Sequence, residues 1–225
     1  MRTLVLGDVH GCLTALEALL DLVAPAADDR LIALGDYVDR GPDSRGVLDR
    51  LIPQYDKGRL IPLRGNHDEM MVEEGHLCQQ KGLWRAVGGV ETLWSYGHEA
   101  SDPAPYDKVP ARHWRFLEHD CRDWFETDTH IFVHANYFAD VPMAEQHVGM
   151  LRWESLREMT PGPHESGKTV IVGHTSQKGG EILDLGHLKC IDTYCHGGGW
   201  LTALDAATGE AWQADREGNL RPGSA

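Results

Sequence analysis

L-I-A-L-G-D-Y-V-D-R-G, residues Leu31–Gly41, joins a short apolar run to a cluster holding two carboxylates, a guanidinium and two glycines. A four-residue apolar run ended by Gly-Asp reads as a buried strand entering a tight turn. The same union occurs upstream, where Thr3–Leu6 runs into G-D-V-H-G at Gly7–Gly11. Downstream, Leu60–Leu63 runs into R-G-N-H-D at Arg64–Asp68. Two further clusters follow strand-like runs in the second half: V-H-A-N at Val133–Asn136 behind Ile131–Val133, and V-G-H-T at Val172–Thr175 behind Thr169–Val172.

Between these runs the spacing turns helical. Leu13, Leu16, Leu19, Leu20 and Val23 recur at helical intervals over Cys12–Val23, with Pro25 closing the segment. A second helix is expected over Ser44–Tyr55 and a third from Glu69 to Glu74. The first 75 residues therefore read as β-turn-α three times, which predicts an α/β fold with parallel pairing and both faces covered. Ligands in such sheets gather beyond the carboxyl ends of the strands, where the first three clusters fall. The middle of the chain suggests short helices around Gly82–Tyr96 and Ala111–Asp120, and whether 75–120 forms a lid stays open. Beyond Glu181 the pattern is hairpin-like: Glu181–Leu185, Leu188–Asp192, Trp200–Asp205 and Glu210–Ala214. Residues 1–217 are expected to form a single domain, with 218–225 as a short frayed tail.

Composition bounds the function. The 225 residues are 41% hydrophobic and 25% charged, which suits a globular domain with a sizeable core. A formal charge of −14 argues against broad nucleic-acid binding, which needs Lys and Arg along a phosphate backbone. It leaves room for a small phosphorylated substrate, because metal ions supply positive charge locally. The five cysteines, Cys12, Cys78, Cys121, Cys190 and Cys195, form no C-x-x-C pair and are odd in number. A reducing cytoplasm is the simpler expectation than a disulfide framework. No apolar segment reaches the length of a membrane span.

The clusters supply metal-ligand types in a complementary set. Asp8 and His10 stand two apart at a strand end, so an extended chain presents both to one ion. Asp36 has two oxygens with which to bridge two ions, and Asn66, His134 and His174 would complete the second. Imidazole with oxygen and no thiolate suits manganese, iron or zinc. Two such ions roughly 3.5–4 Å apart can activate water and clamp the oxygens of an in-line displacement. Arg40 and Arg64 offer forked donors for phosphate oxygens. Asn66, beside Arg64, is placed against the same phosphate. His67 can protonate a leaving oxygen, and Asp39 can hold its other nitrogen.

These residues resemble the phosphoprotein phosphatase family of calcineurin-like metallophosphoesterases, which includes serine/threonine phosphatases and symmetrical diadenosine tetraphosphatases. G-D-Y-V-D-R-G is the most specific element, and the resemblance spans Thr3 to about Asp205. It implies a four-layer α/β/β/α sandwich with two mixed sheets and a dinuclear centre, often active with manganese. By the resemblance, Asp8, His10 and Asp36 hold the first metal, and Asp36, Asn66, His134 and His174 the second. It implies that His67 and Asp39 are the acid dyad and that Arg40 and Arg64 grip phosphate. A further phosphate arginine lies downstream of the fourth motif, with Arg152 the candidate and Arg157 its rival. The chain departs from the pattern at Asn136, which either caps a turn or meets substrate, and in Tyr194-Cys195-His196 before Gly197–Gly199. Tyr194 and His196 could line the substrate mouth.

The expected function is metal-dependent hydrolysis of phosphomonoesters by direct attack of activated water, without a phosphoenzyme. The substrate would be a phosphoprotein, carrying phosphoserine, phosphothreonine or phosphotyrosine, or a small phosphoester. The rival is hydrolysis of a dinucleoside polyphosphate, for which Trp84, Trp94, Tyr96 and Trp114 could provide stacking surfaces. A non-catalytic phosphate-binding scaffold would lack the acid or an arginine, and this chain has both.

Overall fold

The computed structural model describes residues 1–75, 82–99 and 106–223; His76 and Cys78 lie outside the described residues. In the first half, β1 (Thr3–Leu6), α1 (Leu13–Val23), β2 (Arg30–Ala33), α2 (Ser44–Asp56), β3 (Leu60–Pro62) and α3 (Asn66–Gly75) alternate as expected. Two short helices follow, α4 (Val90–Ser95), entered through a wide turn at Arg85–Gly89, and α5 (Ala111–Arg115), continued by another at Phe116–Asp120. The second half adds β4 (Trp124–Glu126), β5 (His130–Val133), α6 (Val148–Trp153), β6 (Thr169–Val172), β7 (Leu183–Asp184), β8 (Leu188–Cys190), β9 (Leu201–Asp205) and β10 (Ala211–Ala214). The sequence reading anticipated all of these except β4 and α6, which are short and lack clear periodicity.

Two five-stranded sheets result, ordered β10-β9-β1-β2-β3 and β4-β5-β6-β8-β7. The strands β1, β2 and β3 pair in parallel, and β9 and β10 extend the first sheet antiparallel. In the second sheet β5, β6 and β8 are parallel, flanked by antiparallel β4 and β7. Both sheets are therefore mixed.

Strand alternation explains why the strands look uniformly apolar in sequence. Val5, Ile32, Leu34, Phe132, Ile171, Ile191 and Leu204 meet in one core between the sheets. Their neighbours Leu4, Leu6, Leu31 and Ala33 point the other way, into a core with α1 and α2. Ile131, Val133, Val170 and Val172 pack outward with Met143, Leu151 and Leu156. The central strands are covered on both faces, giving the expected α/β/β/α order. Phe132 is fully buried at the sheet–sheet interface, and truncating such a side chain to Ala costs roughly 3–5 kcal/mol. Among the described residues no helix is long and apolar enough to cross a membrane.

Helix α3 begins at Asn66, three residues before the expected Glu69. Asp68 reaches back to accept from the Gly65 amide at 2.9 Å, a capping arrangement that winds Asn66 and His67 into the first turn. The segment read as a frayed tail is anchored as far as Arg221. That guanidinium donates to Gly180 O and Gln213 Oε1 at 2.8 and 2.7 Å and pairs with Glu181. Residues 224–225 lie outside the described residues.

At the opposite end of the chain, Asp29 accepts from the Arg2 amide, the Arg2 Nε and the Ala26 amide at 2.6, 2.8 and 3.0 Å. Burial works against its charge, but these donors outweigh it and bring the carboxyl down to about 2. A depressed carboxyl stabilises the fold above its unfolded pKa and loses that contribution as pH falls through the folded value. Asp29→Asn should therefore be less stable than the parent at pH 7, with the gap closing between about pH 4 and pH 2. Denaturant melts across that range test this; a gap independent of pH would mean the charge plays no part.

Candidate active site

The carboxyl ends of β1, β2, β3, β5 and β6 meet along one edge of the sandwich, and the five clusters form the loops there. The loops are tied to one another by backbone bonds. The amides of Val9 and His10 both donate to Asp36 O, at 3.1 and 2.8 Å, and Gly173 N donates to His134 O at 2.8 Å. Gly65 permits a close approach, since a Cβ there would stand 2.0 Å from Asp36 Oδ1.

Backbone strain marks the same residues. Seven non-glycine residues among those described have positive φ, and five are candidate site residues: His10, Asp36, Asp39, Arg40 and His174. Such conformations cost on the order of 1–3 kcal/mol each and persist only where the surroundings enforce them.

Asp36 sits at the centre, 2% exposed. Its Oδ2 lies 3.4 Å from His10 Nε2, and its Oδ1 lies 3.5 Å from His134 Nε2. The His67 amide donates to Oδ1 at 3.0 Å. Asn66 Oδ1 stands 3.2 Å from His134 Nε2 and 3.0 Å from His174 Nδ1. His10, Asp36 and His67 thus form one group of converging donor atoms, and Asp36, His134 and His174 another. Asp8 lies at the rim, where both oxygens accept from the His174 amide at 3.1 and 3.0 Å.

The outer nitrogen of each imidazole faces a carbonyl, which can only accept. His10 Nδ1 meets Val38 O at 2.8 Å, His134 Nδ1 meets Leu34 O at 2.9 Å, and His174 Nε2 meets Trp153 O at 3.0 Å. Those nitrogens therefore carry the protons, and each remaining nitrogen turns a lone pair inward, the tautomer a metal ligand needs. Burial keeps the rings neutral: His10 and His134 are lowered, and His174 is brought down to about 4.

Carboxylates crowd the same edge. Burial, then Asp192 and Asp36, push Asp8 well above the usual carboxylate range. Asp8, Asp36, Asp68 and Asp192 are all at most 3% exposed, and Arg40 is the cation whose charge reaches Asp8. Buried negative charge of this density calls for positive charge. The donor set therefore fits divalent cations. Among the described residues no cysteine joins either group, so the set is imidazole and oxygen throughout.

Beside it His67 Nδ1 meets Asp39 Oδ2 at 2.6 Å. Asp39 is fully buried and held in turn by Trp84 Nε1 and Thr92 Oγ1, each donating at 2.8 Å. Burial opposes the charged His67 ring, but Asp36 and the bonded Asp39 outweigh it and raise His67. Gly88, at φ 127°, lets the turn before α4 approach this dyad; a Cβ there would lie 2.8 Å from Arg40 N.

The three arginines separate. Exposed Arg40 reaches the donor set, with Nη1 donating to His10 Nε2 at 2.9 Å. Arg64 instead donates to Glu118 O, and its buried Nε has no hydrogen-bond partner among the described residues. Arg152 does not turn toward the donor set. Its guanidinium is held between Asp123 and Glu69, carboxylates that form charge-assisted bonds with it. Its rival Arg157 donates to Ser176 O at 2.6 Å. Asn136 takes the turn role: its Oδ1 accepts from Tyr137 N and its Nδ2 donates to Met159 O, both at 2.8 Å. His196 joins the site edge-on to His10, ring centroids 4.7 Å apart.

Sequence reasoning assigned no role to Asp68, Asp192 or Thr92, and considered Trp84 only as a stacking surface rather than as a partner of Asp39. Asp68 accepts from the amides of Asp36, Tyr37 and Gly65 at 2.8, 3.0 and 2.9 Å, tying the second cluster to the third. Its signal was the carboxylate three residues past a helix-opening Gly. Burial and Asp36 push it up to about 8.

The calcineurin-like phosphoesterase pattern matches residues 1–178, so the chain belongs to that family and is a metallophosphoesterase. Members use divalent metals. It is 30% identical to serine/threonine-protein phosphatase 1 of Salmonella typhimurium over 203 residues, covering 88% of both chains. It is also 46% identical to a symmetrical bis(5'-nucleosyl)-tetraphosphatase of Pseudomonas fluorescens, over 69 residues that make up 30% of this chain and 24% of that protein. In fold it resembles a crystal structure provisionally described as a diadenosine tetraphosphatase, at 21% identity and TM-score 0.70, covering 95% and 92% of the two chains. A cold-active protein-tyrosine phosphatase of a psychrophilic Shewanella has TM-score 0.59 at 17% identity, covering 98% of this chain and 79% of that one.

Asp68→Ala should strand three buried amides and loosen Asp36, weakening metal affinity and turnover about 10–100-fold. Asp68→Asn, which keeps one acceptor oxygen, should lose less. Metal titration of both variants checks the order; equal behaviour would remove Asp68 from the site's support.

Proposed function

We propose that the chain is a metal-dependent phosphomonoesterase acting on phosphoproteins, at phosphoserine, phosphothreonine or phosphotyrosine. The observation that carries this reading is Asp36, with one oxygen toward His10 and the other toward His134, beside a histidine anchored by a buried carboxylate. Asp8, His10 and Asp36 would hold one ion, and Asp36, Asn66, His134 and His174 the other. The imidazole and oxygen donors favour manganese, with iron or zinc as alternatives. When bound, two such ions supply Lewis acidity that activates water and offsets phosphoryl charge.

The chain's own residues do the rest. Arg40, at its exposed position, binds phosphoryl oxygens, and the Asn66 amide and the Arg64 guanidinium would assist. His67 keeps Nδ1 on Asp39, so Nε2 gives its proton to the departing oxygen. Trp84 and Thr92 hold Asp39 so that the ring cannot turn away. Arg152 bridges Asp123 and Glu69 and so fixes α6 against α3, which makes it a positioning residue. We also infer a reducing, cytoplasmic setting from the free cysteines Cys12, Cys121, Cys190 and Cys195.

The phosphoprotein reading draws support from the coverage of the Salmonella relative and from the aromatic residues. Of the four aromatic candidates, Trp84 and Tyr96 are 1% and 3% exposed, with their polar atoms engaged with Asp39 and His113, so neither offers a face to a base, whereas Trp94, 58% exposed, does. Hydrolysis of dinucleoside polyphosphates is the second reading, favoured by the identity across the motif-bearing 69 residues.

His67→Asn should keep full metal content and lose about 10²–10⁴-fold on alkyl phosphates, while nitrophenyl phosphate, whose leaving group needs no proton, loses far less. Equal losses on the two esters would refute the acid role. Asp36→Asn should instead emerge depleted of metal, and normal metal content would exclude the bridging assignment. Parallel turnover of phosphopeptides and diadenosine tetraphosphate decides the substrate: preference for the nucleotide overturns the phosphoprotein reading.

A further inference from the structure

A groove of about 510 Å³ adjoins the donor set, walled by the His196–Trp200 loop on one side and by Asp215, Arg216 and Glu217 on the other. Topology puts it there. Strand β9 runs antiparallel to β1, so its first residues lie beside the carboxyl end of β1; Gly7 N donates to Thr202 O at 3.0 Å. Strand β10 ends at Ala214, opposite Leu201. The groove therefore opens on the edge that carries Asp8 and His10. His196 belongs to both, packed edge-on to His10 at 4.7 Å and against Tyr194 at 4.8 Å.

The wall has a definite chemistry. The amides of Gly197, Gly198 and Gly199 all donate inside the loop, to Tyr194 O, Cys195 O and Tyr194 O at 3.1, 3.3 and 2.9 Å. What that backbone can offer a ligand is carbonyl oxygen, an acceptor. Opposite stand Asp215, whose two oxygens already accept from Asn219 N and Nδ2 at 2.8 and 3.0 Å but keep further lone pairs, then Arg216, and the exposed carboxylate of Glu217. Arg216 pairs with Glu217 at 3.5 Å with both side chains about half exposed or more, a weak contact that a competing cation can replace. An acceptor-rich wall receives a donor-rich cation. It disfavours the further phosphates of a dinucleotide. The Trp200 ring is no free platform for a base either, because Arg221 lies over it at 5.6 Å.

We propose that this groove is a specificity subsite for a lysine or arginine side chain of the substrate peptide. The width of one imidazole separates it from the donor set, so the cation belongs one or two residues from the phosphorylated residue, at about 3.3 Å per extended residue. The subsite rests on the phosphoprotein reading. It adds a preference which that reading alone does not require.

The test uses the manganese-loaded full chain and matched phosphopeptides with Arg, Ala or Glu at each flanking position, together with nitrophenyl phosphate and diadenosine tetraphosphate. The parent should show kcat/KM at least 10-fold higher for the best Arg peptide than for its Glu counterpart. In Glu217→Lys, an exposed change that leaves the donor set untouched, that preference should vanish or invert while nitrophenyl phosphate turnover stays within twofold. Good turnover of all peptides without a charge preference, or a preference unmoved by Glu217→Lys, overturns the subsite and leaves the phosphatase reading standing. Failure on every peptide beside rapid cleavage of diadenosine tetraphosphate overturns the phosphatase reading itself, and the subsite with it.

Discussion

The site depends on keeping the Asp36 carboxylate charged and immobile at 2% exposure, where the loops of two sheets converge. Burial alone would favour the neutral acid, so each approach to Asp36 has to stabilise its charge. The His67 amide does so by donating to Oδ1, and the His67 ring, itself raised, lends positive charge beside it; against burial, these hold Asp36 below the usual carboxylate range. The residue also sits at φ 50°, and Gly65 lies against it because no side chain fits. Remove that arrangement and the two groups of donors have no common member.

Contacts across the sandwich share this centre. His134 leaves the second sheet to donate to Leu34 O in the first, and the His174 amide meets Asp8. The core between the sheets sets the distance over which these bonds close, which links packing at Phe132 and Ile171 to geometry at the donor set. Interiors are close-packed, so a shift in that core is transmitted to the edge.

Much of this was legible residue by residue. Five apolar runs each end in a polar cluster, two of them at Gly-Asp, and those clusters marked out Asp8, His10, Asp36, Asn66, His134 and His174. The pairing of His67 with Asp39 was legible from the residue types in the clusters and again through the resemblance. Trp84 and Thr92 were not, since they reach Asp39 from 45 and 53 residues away and nothing local distinguishes them. Arg152 shows the opposite case. Its type suits phosphate, but Asp123 and Glu69 lie closer and claim it.

Local chemistry in the chain determined the strand–turn–helix repeat, the residue types at each turn and hence a metallophosphoesterase centre. These follow from periodicity and from side chains adjacent in sequence. Tertiary structure alone decided which arginine meets the donor set, which aromatic residues are buried and what wall faces the substrate. Those outcomes depend on groups far apart in the chain competing for the same partner, and only packing sets the distances that settle such a competition.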